Sequence, residues 1–332
     1  MKPKKHRILY GIFTSVFIAV PAYFLGQQFK LIGGSVFAIL LGMLLAFIKR
    51  PEFMEAGIRF TSKKILQYSI ILIGFGMNLK SILDIGRQSI LVMLCTISAS
   101  LLTAYYLGKL LKLENNTRTL IGVGTSICGG SAIAATAPVI GADDQDIAYS
   151  ISTIFLFNII AVFIFPFLGR HFGLSDTGFG MWAGTAINDT SSVVAAGYTF
   201  SDTAGDYATI VKLTRTLMII PITLFLAIYT AKKGKSSGSQ SNYNFTKVFP
   251  WFVIGFLIAA VINTLGFHPS FVPDFLNSLG KFGIIVAMAA IGLNTNLKKL
   301  ISNGVKPIAL GLSCWFVVSV ISLIVQNLVG II

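Results

Sequence analysis

Asp189 is the residue whose position in this sequence most needs a physical reason. It stands in Gly184-Thr185-Ala186-Ile187-Asn188-Asp189-Thr190-Ser191-Ser192, in the middle of an otherwise apolar run. An ionisable group at the centre of a bilayer costs at least about 2.5–3.5 kcal/mol on insertion scales, so such a residue usually lines a path or a site. A carboxylate there can take up a proton, ligate Na⁺ together with hydroxyls and carbonyls, or neutralise a buried cation. An ion pair that only pins helices together is the plainer alternative. Lys212 and Arg215, in Val211-Lys212-Leu213-Thr214-Arg215-Thr216, are the candidate partners. Three residues apart, they share one helical face, with Thr216 near Lys212 at the next turn. Arginine offers a planar fork suited to oxyanions, so the pair is also a candidate lining for sulfate, a sulfonate or a carboxylate. Against this stands simple snorkelling of both side chains to the interface.

A second polar segment lies sixty positions earlier, Gly124-Thr125-Ser126-Ile127-Cys128-Gly129-Gly130-Ser131-Ala132-Ile133-Ala134-Ala135. Laid over the stretch from Gly184 to Ala195 it shares Gly, Thr, Ile, Ser and Ala at five of twelve places. Both read as membrane helices interrupted near their middle, and loosened backbone at that depth is tolerated where it lines a cavity or is buried in protein. At Gly129-Gly130, freed N–H groups would hold an anion and freed carbonyls a cation; close helix packing is the alternative use of glycine. The candidate binding site is therefore Thr125, Ser126, Gly129, Gly130, Ser131, Asn188, Asp189, Thr190, Ser191, Lys212 and Arg215. No cofactor is expected, and the coupling ion is H⁺ or Na⁺, the latter near Asp189. Asn78, Asn158, Asn294 and Asn296 are expected to hydrogen-bond between helices. His6, His171 and His268 lie in the tail or in loops, Gly124-Thr125-Ser126 is no nucleophile elbow, and no phosphate-binding or metal-ligand motif occurs. No enzymatic activity is expected.

The elements that must position these groups follow from composition. Of 332 residues, 55% are apolar and 11% charged, and mean hydropathy is +0.80. That describes an all-α polytopic membrane protein, a single integral domain over 1–332. The net charge of +14 falls in short basic clusters between apolar runs, the pattern of the positive-inside rule, so the partners are the lipid bilayer and a small anion, with no nucleic acid; a homodimer is compatible. Cys95, Cys128 and Cys314 have no paired spacing and are expected to pack between helices. Apolar runs predict about eleven spans: 8–27, 31–48, 65–80, 88–108, 118–140, 147–169, 178–199, 207–231, 248–266, 281–297 and 307–331. With the N-terminus inside, twenty Lys/Arg fall on inner segments against four on outer ones (Lys30, Lys80, Arg87 and Lys281), which predicts N-in and C-out with Asp143, Asp144 and Asp146 outside. The basic start from Met1 to Arg7 leads into a retained first helix without a cleavage pattern. The stretch 51–64 is read as a short amphipathic helix along the inner interface or as a loop, and 232–247 as a cytoplasmic linker.

A second internal match bears on architecture. Gly74-Phe-Gly-Met-Asn-Leu-Lys and Gly292-Leu-Asn-Thr-Asn-Leu-Lys sit on spans predicted to run in opposite directions, the signature of an inverted-topology repeat. The two Gly-Thr segments do not obey it simply, because spans five and seven are predicted to be parallel. Either one of them is a re-entrant hairpin, or they share cavity chemistry without repeat descent.

Taken together, Thr125-Ser126-Ile127-Cys128-Gly129-Gly130-Ser131 with Ala137-Pro138-Val139-Ile140, Asn188-Asp189-Thr190 and Val211-Lys212-Leu213-Thr214-Arg215 resemble the YeiH family of bacterial inner-membrane proteins, also labelled a sulfate exporter family. The likeness spans nearly the whole chain. It implies a multi-pass protein of the cell (inner) membrane and a secondary transporter, an exporter of sulfate or a sulfonate; the inverted repeat adds the expectation of alternating access. More distantly it implies a core similar to bile-acid/sodium symporters, with two broken helices crossing in a mobile domain that moves against a scaffold. The family pattern has His-Asp-Thr where this chain has Asn188, which shifts any proton handling to Asp189. The alternative function is a Na⁺/H⁺-type cation exchanger using Asp189.

Overall fold

The computed structural model describes residues 5–29, 32–48, 50–232, 251–266, 269, 271–295 and 304–332. All secondary structure among them is helical. The linker expected at 232–247 lies outside the described residues beyond Lys232, as do His268, Asn296 and the motif residues 296–303.

The helices are α1 (Lys5–Gln28), α2 (Gly34–Leu45), α3 (Glu52–Phe60), α4 (Leu66–Ile73), α5 (Leu79–Leu110), α6 (Asn115–Ser126), α7 (Gly130–Ile140), α8 (Asp144–His171), α9 (Asp176–Ala186), α10 (Thr190–Phe200), α11 (Asp202–Thr216), α12 (Ile219–Lys232), α13 (Trp251–Leu265), α14 (Phe271–Asn294) and α15 (Val305–Val329). Six stretches are long and apolar enough to cross a membrane: Ile8–Gln28, Leu79–Leu110, Asp144–His171, Asp202–Leu226, Phe271–Asn294 and Val305–Val329. This is a polytopic helical membrane protein.

Several boundaries depart from the apolar runs for local reasons. The segment 51–64 does not end as a separate interfacial piece: α3 continues through a π-helical turn, Thr61–Ile65, directly into α4. The run 65–80 stops early, because a 3₁₀ turn at Gly74–Gly76 hands the chain to an extended Met77, after which Asn78 caps α5 by accepting from the Lys80 N–H at 2.8 Å. α5 therefore starts nine residues before the expected 88, and α14 ten before the expected 281. The run 207–231 is split at Leu217–Met218, where Pro221 has no N–H to give the preceding turn.

The helices sort into two bundles. In one, α14 packs on α2 and α4, α1 on α2 and α3, and α13 on α4. Gly42 and Gly292 face each other across the α2–α14 contact, where a Cβ on either would meet the partner's backbone. In the other, α5, α6, α8, α9 and α15 surround the two polar segments, with α11 against α9 and α10. α15 packs on both hairpins: the Trp182 indole donates to Ser319 O at 3.0 Å and Thr185 and Ser322 share a 2.6 Å hydroxyl contact, while Leu310 and Cys314 pack with Leu120, Ile121 and Ile133 of the first. α10 touches α2 and α14 across the boundary between bundles.

The two polar segments do not cross the molecule, and the expectation of two broken crossing helices at 118–140 and 178–199 is corrected here. Each doubles back as a helical hairpin. At the base of the first, the Asn116 amide donates to Gly141 O at 3.4 Å, and Ile133 of α7 lies against Gly124 of α6. At the base of the second, Ser201 Oγ donates to Asp176 Oδ1 at 2.7 Å and the rings of Phe179 and Phe200 stack 4.0 Å apart. Each arm, of 11 or 12 residues, rises about 16–18 Å and then packs back against its partner instead of continuing across. The full-length α8 runs between the hairpins, so their bases lie on opposite faces and their tips meet. Arg118 packs on Gly108 and Thr117 hydrogen-bonds Asp146, so the first base belongs to the face carrying Lys109 and Lys112. The acidic turn Asp143–Asp146 is thus on the basic face, not opposite it. Arg170, expected on that face, lies at the other end of α8, where its Nη2 donates to Thr199 O at 2.7 Å. Both reversals have one cause: a hairpin adds two helical arms but no crossing.

Candidate functional site

The site forms where the tips meet beside the middle of α8. Gly129 precedes α7 at φ 68°, ψ −127°, the conformation of the first central residue of a type II′ turn, in which an L-residue is strained. It lets the chain reverse between Ile127 and Gly130. In the other tip, Asp189 sits just before α10, and its Oδ2 accepts from the Ser191 N–H at 3.0 Å and from the Ser191 hydroxyl. Asn158, from α8, holds this tip: its Oδ1 accepts from the N–H groups of Asn188 and Asp189, each at 3.1 Å. Asn158 is 2% exposed, and its expected interhelical hydrogen bonding is what the structure shows.

Each tip has two chemically opposite sides. The arms α6 and α9 end at the tips, so their last carbonyls carry the negative end of the helix dipole. Lys212 and Arg215 of α11 meet those carbonyls. Lys212 Nζ donates to Ile127 O at 2.8 Å and Ile187 O at 2.9 Å, one from each hairpin. The Arg215 guanidinium donates to Ser126 O at 2.7 Å, Thr125 O at 2.8 Å and Thr185 O. Both side chains are 0% exposed. They share one face, as their spacing predicts, but they do not snorkel. Nor do they line the cavity, so the positive lining expected of them is not where a substrate would lie.

The arms α7 and α10 begin at the tips, and their positive N-terminal ends point the other way, into a cavity of about 1140 Å³ between the two bundles. Gly130, Ser131, Asp189, Thr190, Ser191 and Asn158 form its inner end; Arg50, Glu55, Arg59, Ser62, Lys63 and Gln67 of the first bundle line its flank toward the basic face. The residue before α7, Gly129, has no side chain with which to cap it, and the Cys128 sulfur faces the Ala132 N–H of its first turn. By helix geometry, its first-turn N–H groups have no intrahelical acceptor. A Cβ built on Gly130 meets nothing within 4 Å, so open space lies before that end. Of the residues expected in the site, Thr125, Ser126, Gly129 and Asn188 are buried behind the tips rather than in the cavity wall.

With this geometry in hand, relatives fall into place. A family model described as "Conserved hypothetical protein 698" matches residues 10–311. A UPF0324 membrane protein of Streptococcus mutans is 54% identical over 98% of this chain and 99% of its own length. Others from Fusobacterium nucleatum and Streptococcus pyogenes serotype M3 are 48% and 50% identical, with at least 97% of each chain covered. The chain belongs to the UPF0324 family. The YeiH family it resembles is the same family, and the location is the bacterial cell membrane, with multiple passes.

In this UPF0324 protein the residues that sequence reasoning missed are those at the cavity flank. Arg50 pairs with Glu55 at 2.6 Å and donates to Leu293 O at 2.7 Å, which ties α3 to the end of α14. The signal was the cluster of Arg50, Glu55, Arg59 and Lys63 among apolar residues, which suits an interfacial helix equally well. The tip itself offers a test of backbone strain. Around Gly129 a Cβ would have ordinary contacts at 3.4 Å or more, so Gly129→Ala probes φ alone and is expected to cost about 1–3 kcal/mol. Thermal melting of the detergent-solubilised protein checks it against Gly130→Ala, whose φ is not positive and which is expected to melt within about 2 °C of wild type.

Proposed function

We propose that this protein is a secondary transporter of a small anion such as sulfate or a sulfonate, bound at the hairpin tips and moved by alternating access. The observation that carries this is the N-terminal end of α7, whose Gly130 and Ser131 face a cavity flanked by Arg50, Arg59 and Lys63. First-turn N–H groups and a serine hydroxyl are an oxyanion's natural partners. Thr190 and Ser191 line the facing tip. Asp189 stands beside that position, and an ionised carboxylate would repel the anion; protonation removes the repulsion, so one proton travels with the anion. A divalent anion with one proton still carries a net negative charge, which an inside-negative potential drives outward with about 2.3 kcal/mol per 100 mV. Export is the direction that fits.

Re-entrant hairpins also bring the orientation into order. Counted as α1, α2, α3–α4, α5, α8, α11–α12, α13, α14 and α15, nine described segments cross and two hairpins do not, which keeps N-in and C-out. Moving Arg170 outside leaves nineteen inner Lys/Arg against five outer, and the two hairpins enter from opposite sides as an inverted pair. The cavity then opens inward. On the outer side the bundles are latched: Lys281 of α14 pairs with Asp202 of α11 at 2.8 Å and lies 5.2 Å from the centre of the Tyr198 ring, whose hydroxyl donates to Asp206 at 2.5 Å. An inward-facing state of a moving-core carrier has this shape. A cation exchanger built on Asp189 fits less well, because the other carboxylate lining the cavity, Glu55, is paired with Arg50, and Arg59 and Lys63 stand beside it.

Flux of labelled sulfate and small sulfonates in proteoliposomes, with and without pH and sodium gradients, tests the reading. Wild type is expected to carry at least one of them, faster when the side holding the anion is acidic. Asp189→Asn is expected to lose that pH dependence. Absence of flux for every anion at every pH sinks the proposal.

A further inference from the structure

The five carbonyl oxygens behind the tips raise a separate question: why two cations are buried there. Neither Lys212 nor Arg215 has a carboxylate among its hydrogen-bond partners, and among the described residues the salt bridges are Arg50–Glu55 and Lys281–Asp202. An ion pair therefore does not account for them. Their partners are the carbonyls of Thr125, Ser126, Ile127, Thr185 and Ile187, all at the C-terminal ends of α6 and α9. Unwound carbonyls at half-helix C-termini are the donor set with which membrane carriers hold Na⁺, because a hard cation prefers oxygen and the dipole ends are negative. Lys212 uses that set as an ion would. One charged centre takes one carbonyl from each hairpin and so bridges two tips that no covalent link joins.

We infer that the hairpin tips form a monovalent-cation site whose occupant is built into the chain. The Lys212 ammonium takes the place of an alkali ion, and the tips close without Na⁺. Two further oxygens on the same segments, Thr125 Oγ1 and Asn188 Oδ1, are buried with no partner, so the tips hold more oxygen than the ammonium uses. Removal of Lys212 leaves Ile127 O and Ile187 O without the donor they share. The conclusion that the coupling ion is then the proton at Asp189 rests on the transport reading; the cation site does not.

The experiment is a melting series on the purified full-length protein in detergent, in sodium, potassium, methylammonium and choline chlorides at equal ionic strength. Wild type is expected to melt at one temperature in all four. Lys212→Ala is expected to melt about 5 °C lower or more in choline and to recover part of that loss in methylammonium and in sodium. Lys212→Gln, whose amide reaches one carbonyl but carries no charge, is expected to show the same order of cations with a smaller loss, and it serves if the alanine variant does not purify. A sodium-specific rise in the wild-type melting temperature overturns the inference, since the site would then be vacant and not filled. A folded variant that responds alike to all four salts also overturns it. Failure of every anion flux would refute the transport reading and leave these melting curves untouched.

Discussion

Replacing Arg215 with Met is expected to abolish the monodisperse folded protein, or to lower its melting temperature by more than any other single change in the core. The guanidinium serves three carbonyls, Thr125 O, Ser126 O and Thr185 O, from both hairpins, and it is wholly buried. Methionine fills much of the volume but leaves those carbonyls without donors in an apolar surround. Each orphaned group costs about 1–3 kcal/mol, so three cost on the order of 3–9 kcal/mol and consume a large part of a typical stability of about 5–15 kcal/mol. Arg215→Lys keeps the charge, but a single ammonium cannot present the planar fork to three acceptors, and an intermediate loss is expected. Size-exclusion profiles and melting curves of the two variants beside wild type measure this. An Arg215→Met protein that melts within about 2 °C of wild type would show that the guanidinium does not hold the tips.

Asn158→Leu is expected to have the second large effect, and mainly on transport. The side chain is nearly conserved in volume, yet the N–H groups of Asn188 and Asp189 lose their common acceptor. Two unpaired donors cost about 2 kcal/mol or more, though transmembrane hydrogen bonds average less than that in double-mutant cycles. The tip is expected to relax toward other partners, which moves Asp189 and Ser191 relative to α7. Since each 1.4 kcal/mol is tenfold in an equilibrium constant, the concentration of anion giving half-maximal flux is expected to rise at least about tenfold. Asn158→Asp keeps an acceptor for both N–H groups and is expected to preserve the melting temperature while altering the pH dependence of flux, because a second carboxylate then faces Asp189. Unchanged flux in Asn158→Leu would remove this amide from the positioning of the site.

The chemistry of the tips was legible in the sequence because it is written in residue types that apolar helices otherwise avoid. Gly129, Gly130, Asp189, Lys212 and Arg215 each stand out against Leu, Ile and Phe. What they do to one another was not legible, because partners in space are fixed by direction. A run of 23 residues with a polar middle has the same hydropathy whether it passes through or folds back. Gly129 is the residue that turns the first hairpin, and its positive φ has no counterpart in composition. Once the hairpins reverse, the carbonyl ends of α6 and α9 face α11, and the side chains expected to hold an anion hold backbone oxygens instead. The charge count of the proposed orientation changes little, because only Arg170 moves from one side to the other.

The position of α15 bears on how such a protein comes into being. The hairpin arms fold back at their tips, and each tip leaves polar backbone that neighbouring helices must shield. Several of those neighbours come late: α11 supplies Lys212 and Arg215, and α15, whose Ser319 and Ser322 meet the second hairpin, is made after it. While the ribosome is still adding these segments, the first hairpin has α5 and α8 for cover but no cation for its carbonyl ends. The chain therefore passes through a stage in which its most polar membrane segments wait for helices encoded after them.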